Sequence, residues 1–520
     1  MLKERRILAL FLAIFSICLL VSGCGGNTSG NSTQASTASA ATQTEKENLE
    51  PITFTYFRAM TNGVDPYPEN DFAKLIKEQT GITIEVEDVV GDLDTKIGVM
   101  IASGDYPDFI WGNDRHYKFI DAGALIPLDD YIDKYGANTK KVYDGYFKQM
   151  AWDDGNIYFL SPRTEDVTYK NPTAAMYIQK AVLKEFGWPK VTTVDQYFDL
   201  LIKYKEKYPS IDGKETIPFS IITDSWRIFT LYNPTRYVSG RDNNQYDVDD
   251  KTLDVHVPLA EDWQKKWYKK INELYNKGYV DKESFSMTYD KYIEKLSTGR
   301  VLGMHDYSWQ IQSAEDSIVQ QGKTDRYYVS LAISWDENTK EHYIDAPMFG
   351  SRDGVSISKN CKDPERAFKF LDWLLNEDIQ KQIYWGVKDK DYYVNEDGKY
   401  YQKHDMSAEA KAKAVESSRK NGRSLFTYPW PRGANNKLYA DGNVWDPSGS
   451  KDEVYAEYGE YEKEFLDAYH IKTYTDLFNS PIKRPFGYLW NFSLPSDSEE
   501  NQTVAKIGEI DKEWVTKCIT

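Results

Sequence analysis

The sequence predicts an α/β protein built on open, mostly parallel sheets. Three observations carry this. Short apolar runs alternate with amphipathic helical stripes from residue 52 onward. The stripes begin and end at recognisable caps. With 41% apolar and 28% charged residues over 520 positions, the chain can bury a sizeable core and is not disordered throughout. At ~100–200 residues per domain, that length allows two to four domains or two large lobes.

The elements follow in order. Ile52-Thr53-Phe54-Thr55-Tyr56-Phe57 alternates as a strand. Phe72, Leu75, Ile76 and Gln79 share one helical face, and Gly81 stands where a left-handed cap ends such a helix. Ile82-Thr83-Ile84-Glu85-Val86 is the next strand. Ile97 to Ala102 reads as the end of a second helix, closed by Ser103-Gly104, and Asp108-Phe109-Ile110-Trp111 as a short buried strand. Strand, helix, strand, helix, strand is the order of a parallel sheet. Further on, Thr193-Val194-Asp195-Gln196 is a capping box, opening a helix with Tyr197, Leu201 and Tyr204 on one stripe. Glu261 to Gly278 is a long amphipathic helix with Trp263, Trp267, Ile271 and Leu274 inward. Asp363-Pro364 is an N-cap followed by proline at the first helical position, with Ala367, Phe370, Leu371 and Leu374 behind it. Asp397-Gly398 marks a hairpin turn. The sequence shows no internal repeat and no second apolar run long enough to span a membrane.

The first 50 residues read as an address and a tether. Lys3, Arg5 and Arg6 precede an uncharged apolar run from Ile7 to Val21, which is short for a spanning helix and suited to a signal peptide. Val21-Ser22-Gly23-Cys24 resembles a bacterial lipobox. The resemblance implies a signal peptide over 1–23, cleavage before Cys24 and lipidation of Cys24. Cleavage would take the net charge from −17 to −19, because Lys3, Arg5, Arg6 and Glu4 leave together. A body that acidic is held to the membrane through its lipid only. Residues 24–50, dominated by Ser, Thr, Ala and Gly, read as a flexible linker.

The charge balance, 64 Lys+Arg against 81 Asp+Glu, argues against nucleic acid as a partner. Four cysteines are too few for a disulfide scaffold, and a Cys361–Cys518 pairing stays open. Catalytic signatures such as HExxH, GxSxG, GxGxxG and Walker A are absent, and the six histidines show no ligand spacing. No metal or other cofactor is expected.

At this point several segments, in order, resemble extracellular solute-binding proteins of bacterial ABC importers. Ala102-Ser103-Gly104-Asp105-Tyr106-Pro107-Asp108 is similar to their "ASGDxPD" segment. Gly123 to Ile132 and Asp154-Gly155-Asn156-Ile157-Tyr158 are similar to the stretches that follow it. Tyr177 to Gly187 with Pro189 and Thr192 to Asp195, the strand Gly354 to Ser358, and Tyr384-Trp385-Gly386-Val387 with Asp391-Tyr392 complete the set. The resemblance implies a two-lobe, periplasmic-binding-protein-like (type II) fold with a hinge between the lobes. Lobe 1 would hold 51–165 plus 350–405, and lobe 2 would hold 175–345 plus 410–520. The stretch Lys207 to Pro218 departs from an EF-hand-like loop of relatives and lacks most of its oxygen ligands, so no calcium is expected there.

The function implied is capture of an oligosaccharide in the interlobe cleft and delivery to ABC permease subunits. The chain would be a monomer anchored on the extracellular face of the cell membrane, and not an enzyme. A neutral or mildly acidic glycan is the default. Sugars reward aromatic platforms and planar hydrogen-bonding side chains, which strand ends supply. The expected ligand-binding residues are Arg58 and Asn62 after the first strand, Trp111 and Asn113 after the third, Arg163, and Trp226. Asp306 and Trp309 follow Val301-Leu302-Gly303-Met304, Trp335 follows Ile333, and Trp385 lies in the last matched segment. A lipid-anchored glycan-degrading enzyme and a peptide-binding or sensor lipoprotein are the alternatives.

Overall fold

The chain divides into residues 1–47 and a body of residues 48–520. The computed structural model describes residues 49–60, 70–162, 164–241, 247–249, 251–256, 261–350, 353–405, 408–481 and 498–520. The expectations for the signal peptide, Cys24, Asn62 and Arg163 lie outside the described residues.

The body is organised around two mixed sheets. The first contains β1 (Ile52–Arg58), β2 (Ile82–Asp88), β3 (Phe109–Trp111), β4 (Phe159–Leu160) and, much later, a returning strand. The second contains β5 (Ala174–Gln179), β6 (Ile217–Ser220), β7 (Val301–Tyr307) and β8 (Tyr328–Leu331). The returning strand is β9 (Val355–Ile357). The orders are β2-β1-β3-β9-β4 and β8-β5-β7-β6. β1 runs parallel to β2 and β3, and β7 parallel to β6. β9 is antiparallel to both β3 and β4, and β5 to both β7 and β8. The sheets are therefore more mixed than expected, for a topological reason. β5 and β9 each follow a passage of chain from one sheet to the other. They enter from the shared edge and run opposite to strands that leave toward it.

Local chemistry sets the elements as the sequence suggests. The helix Asp71–Thr80 is capped by the Asn70 side chain and stops at Gly81 (φ 70°), whose N–H donates to the Lys77 carbonyl. The Thr193–Gln196 capping box forms, and Asp363 caps the helix Pro364–Leu374, which buries Ala367, Phe370, Leu371 and Leu374. Strands β3, β5, β7 and β8 are buried along their whole length, as strands covered on both faces are. Gly354 is required where β9 meets β4, since a Cβ there would lie 2.2 Å from the Leu160 carbonyl oxygen.

Two separate hydrophobic cores result. One gathers Phe54, Phe109, Ile357, Phe370 and Trp385, and the other Ile178, Leu201, Trp267, Met304 and Val329. The expected lobe 2 segment 410–520 needs correcting. Phe426, Trp430, Tyr439 and Trp445 belong to the first core, and the chain joins the second only from Val454. Trp430 explains why: it packs on Tyr56 at 4.7 Å and on Phe109 at 5.8 Å, sealing the first sheet. The chain thus passes between cores near 161–173, 332–354 and 446–453. Arg432 and Asn435 bind the first passage: Arg432 donates to both Asp166 oxygens at 2.7 Å, and the Asn435 side chain exchanges hydrogen bonds with the Val167 main chain.

Cys361 is buried in the first core and Cys518 is exposed on the helix Glu499–Ile519, so the pair left open does not form. In the loop expected to lack calcium, Asp212 pairs with Arg326 and Lys323, which hold its carboxyl far below the usual range. Among the described residues no helix is long and apolar enough to cross a membrane.

Candidate ligand-binding site

The parallel pairing of β6 and β7 brings their C-terminal ends to one edge, with Met304 opposite Ser220. The chain after β6 turns through Ser225–Ile228, and the chain after β7 enters the helix Ser308–Gln320 at once. Trp226 and Trp309 therefore meet. Their ring centroids lie 5.9 Å apart with 19° between the planes, and each remains about half exposed, at 55% and 52%. Phe229 touches both indoles, and Tyr307 packs on Trp309 at 5.7 Å. The Tyr307 hydroxyl is fixed at 2.8 Å from both Asn233 Nδ2 and the Tyr237 hydroxyl. Exposing two indoles side by side forfeits apolar burial that a core would have used, and such a patch is the mark of a binding surface. It adjoins a crossing passage, because the Ser308 N–H donates to the Thr173 carbonyl.

Beneath the pair lies Asp306, completely buried. Its Oδ2 accepts from the Tyr292 hydroxyl at 2.6 Å. Its Oδ1 accepts from the Tyr307 N–H at 2.7 Å and from Gln310 Nε2 at 2.6 Å. Burial outweighs these donors and lifts the carboxyl to about 7. Asp306 is a support for the platform, not an acceptor offered to a ligand, because every approach to it is filled by protein. Next to it His305 is buried against Tyr237 and held neutral by desolvation, down to about 3.

The first sheet ends differently. Trp111 is 1% exposed and donates Nε1 to Asp353 Oδ1 at 2.6 Å. Asp353 Oδ2 accepts from the Tyr428 hydroxyl at 2.9 Å, and Tyr428 stands edge-on to Trp111 at 5.4 Å while 39% exposed. The residue that presents a ring at this edge is thus Tyr428, and Trp111 is its backing. Tyr428 was not among the expected residues, although the Tyr428-Pro429-Trp430-Pro431 run of aromatics and prolines is a visible signal. Asp353 had no signal beyond its place before β9.

The other expected residues fall elsewhere. Arg58 is buried in a two-pronged pair with Asp88, Nε to Oδ1 at 2.8 Å and Nη2 to Oδ2 at 2.7 Å, so it holds β1 to β2. Asn113 opens a short 3-10 turn with φ 52°, and its carbonyl lies 3.3 Å from His116 Nδ1. Trp335 packs on Trp267 at 6.3 Å with the Lys266 ammonium over its ring at 4.2 Å, and makes no ring contact with the Trp226–Trp309 pair. Trp385 is core, its Nε1 donating to the Val444 carbonyl at 2.9 Å. Trp111, Trp385, Arg58 and Asp306 are therefore corrected from ligand-facing to structural, each because burial and a complete set of internal partners removes it from solvent. Among the described residues, no three His, Cys, Asp or Glu side chains gather as a metal site.

Two α/β lobes with mixed sheets, several chain passages between them and exposed rings at the edges those passages leave define a two-lobe, periplasmic-binding-protein-like architecture. The family model for bacterial extracellular solute-binding proteins matches residues 71–389, more than half of the chain, and the chain belongs to that family. It is similar to the fructooligosaccharide ABC transporter substrate-binding protein FusA of Streptococcus pneumoniae, with 27% identity over 370 residues that cover 67% of each chain. It is similar to lipoprotein LipO of Bacillus subtilis, with 22% identity over 405 residues and 74% of each chain. Among solved structures it resembles the HMO-binding, ABC-transporter-associated solute-binding protein from Bifidobacterium longum infantis. That match has a TM-score of 0.63 at 17% identity, covering 90% of this chain and 92% of that one. The alginate-binding protein AlgQ2 gives 0.60 at 18% identity, covering 91% and 93%.

Proposed function

We propose that this solute-binding protein captures an oligosaccharide between its lobes and hands it, chemically unaltered, to the permease subunits of an ABC importer. The observation that carries the reading is the half-exposed Trp226–Trp309 pair at the edge where chain passes between lobes. Indole faces match the C–H faces of sugar rings, and Tyr428 offers a second ring from the other lobe. The fructooligosaccharide of FusA belongs to the same class. Closure follows if the ligand binds the closed arrangement better than the open one. The chain acts as a monomer on the extracellular face of the membrane, held by lipid on Cys24, with residues 24–50 as the leash.

Isothermal titration against a glycan panel tests this. Saturable binding with the glycan recovered intact supports it, and product formation at catalytic turnover overturns it. For the anchor, incorporation of an alkyne fatty acid that disappears in Cys24→Ser is expected, and labelling that persists in the variant refutes it.

A further inference from the structure

The turn that carries Trp226 also carries a cation that the platform reading leaves unused. The Arg227 guanidinium carbon lies 4.6 Å from the centroid of the Trp226 ring and 4.0 Å from that of Tyr289. Both rings are held. The Tyr289 N–H donates to Asp224 Oδ2 at 3.0 Å and its hydroxyl donates to the Gln310 carbonyl. The Asp224 carbonyl accepts the Arg227 N–H at 3.1 Å, which closes the turn. A guanidinium is thus clamped by aromatic rings at the edge of the tryptophan pair.

No carboxylate is bonded to it among the described residues. Among the described residues the Arg227 side chain makes no hydrogen bond and no ion pair, and its Nε is buried without an acceptor. Arg58, Arg115, Arg241, Arg326, Arg423 and Arg432 each hold an aspartate. Asp306 is close enough to feel this charge, but its oxygens are already taken by Tyr292, Tyr307 and Gln310. What Arg227 has left is the fork of its two terminal nitrogens, a planar pair of donors shaped for a carboxylate.

We propose that Arg227 is a specificity-determining residue of this site, binding the carboxylate of an acidic sugar unit whose ring lies against the Trp226–Trp309 pair. The ligand is then an oligosaccharide that carries a uronate or a similarly carboxylated unit. This rests on the reading of the tryptophan pair as a carbohydrate platform.

The test is calorimetric titration of the full chain with matched neutral and carboxylated oligosaccharides: galactotriose with trigalacturonate, cellotriose with its uronate counterpart, and lactose with sialyllactose. At least one carboxylated member should bind at least about tenfold tighter than its neutral partner. That preference should vanish in Arg227→Met and in Arg227→Gln, so whichever variant folds decides the matter. A neutral member that binds as tightly as every carboxylated one overturns the assignment while leaving the platform intact. A preference that survives in the folded variant also overturns it. Failure of every member to bind overturns the platform reading and this inference together.

Discussion

Asp306→Asn isolates the energetic cost of an acid buried beneath the platform. The carboxyl is fully buried, and desolvation raises it from 3.8 to about 7 against the pull of Tyr292, Tyr307, Gln310 and the nearby Arg227. Between about pH 4 and pH 7 the folded chain keeps a proton that the unfolded chain has already released. Stability from this group is therefore fully present below pH 4, falls as pH rises, and levels off above 7. A rise of that size corresponds to roughly 4 kcal/mol across the window, and to roughly 3 kcal/mol between pH 5 and pH 8. Asn cannot ionise. Its Oδ1 can still accept from the Tyr307 N–H and from Gln310, and its amide can donate to the Tyr292 oxygen. The variant should thus gain on the wild type by about 3 kcal/mol from pH 5 to pH 8. Urea unfolding of both proteins at pH 5, 6, 7 and 8 measures this, and taking the difference cancels every other titrating group. A difference that stays flat within about 0.5 kcal/mol would refute the claim that burial, and not the three donors, sets this carboxyl.

Three further outcomes follow from the same structure. Trp309→Ala and Trp226→Ala should each weaken glycan binding by at least about tenfold while leaving thermal stability nearly unchanged, since both rings are half exposed; unaltered affinity in both would remove the platform. Lys295→Met should destabilise by about 3–5 kcal/mol, because Lys295 reaches Asp281 at 2.7 and 2.9 Å inside the second lobe and its loss leaves a buried carboxylate unpaired; a loss under about 1 kcal/mol in chemical denaturation would contradict this. Alkylation read by peptide mass spectrometry should label Cys518 in the native chain and Cys361 only after unfolding, as burial pushes the Cys361 thiol up to about 12; early labelling of Cys361 would speak against its packing.

Local rules made much of the fold legible. The caps at Thr193 and Asp363 and the stop at Gly81 depend on residues within a few positions of each other. Trp309 was legible for a related reason, as it follows closely on a strand, and Trp226 stands in the turn that comes after one. Distance defeated the remainder. Trp111 and Trp385 also stand at expected positions, but each donates to a partner far along the chain, Asp353 and Val444 respectively, and that bond turns a prospective surface ring into core. The direction of β5 and β9 and the return of 426–445 to the first core are likewise properties of how passages route the chain, which no window of sequence contains. Arg227 was overlooked beside Trp226 because an arginine announces itself by its charge, and only the structure reveals that no carboxylate among the described residues is bonded to it.

The routing of the chain also governs how the protein comes into being. The first core waits for Trp430 and Trp445, and the second for Phe465 and Ile519, so neither sheet can be sealed until the closing third of the polypeptide has emerged. A nascent fragment ending before Trp430 lacks part of both cores.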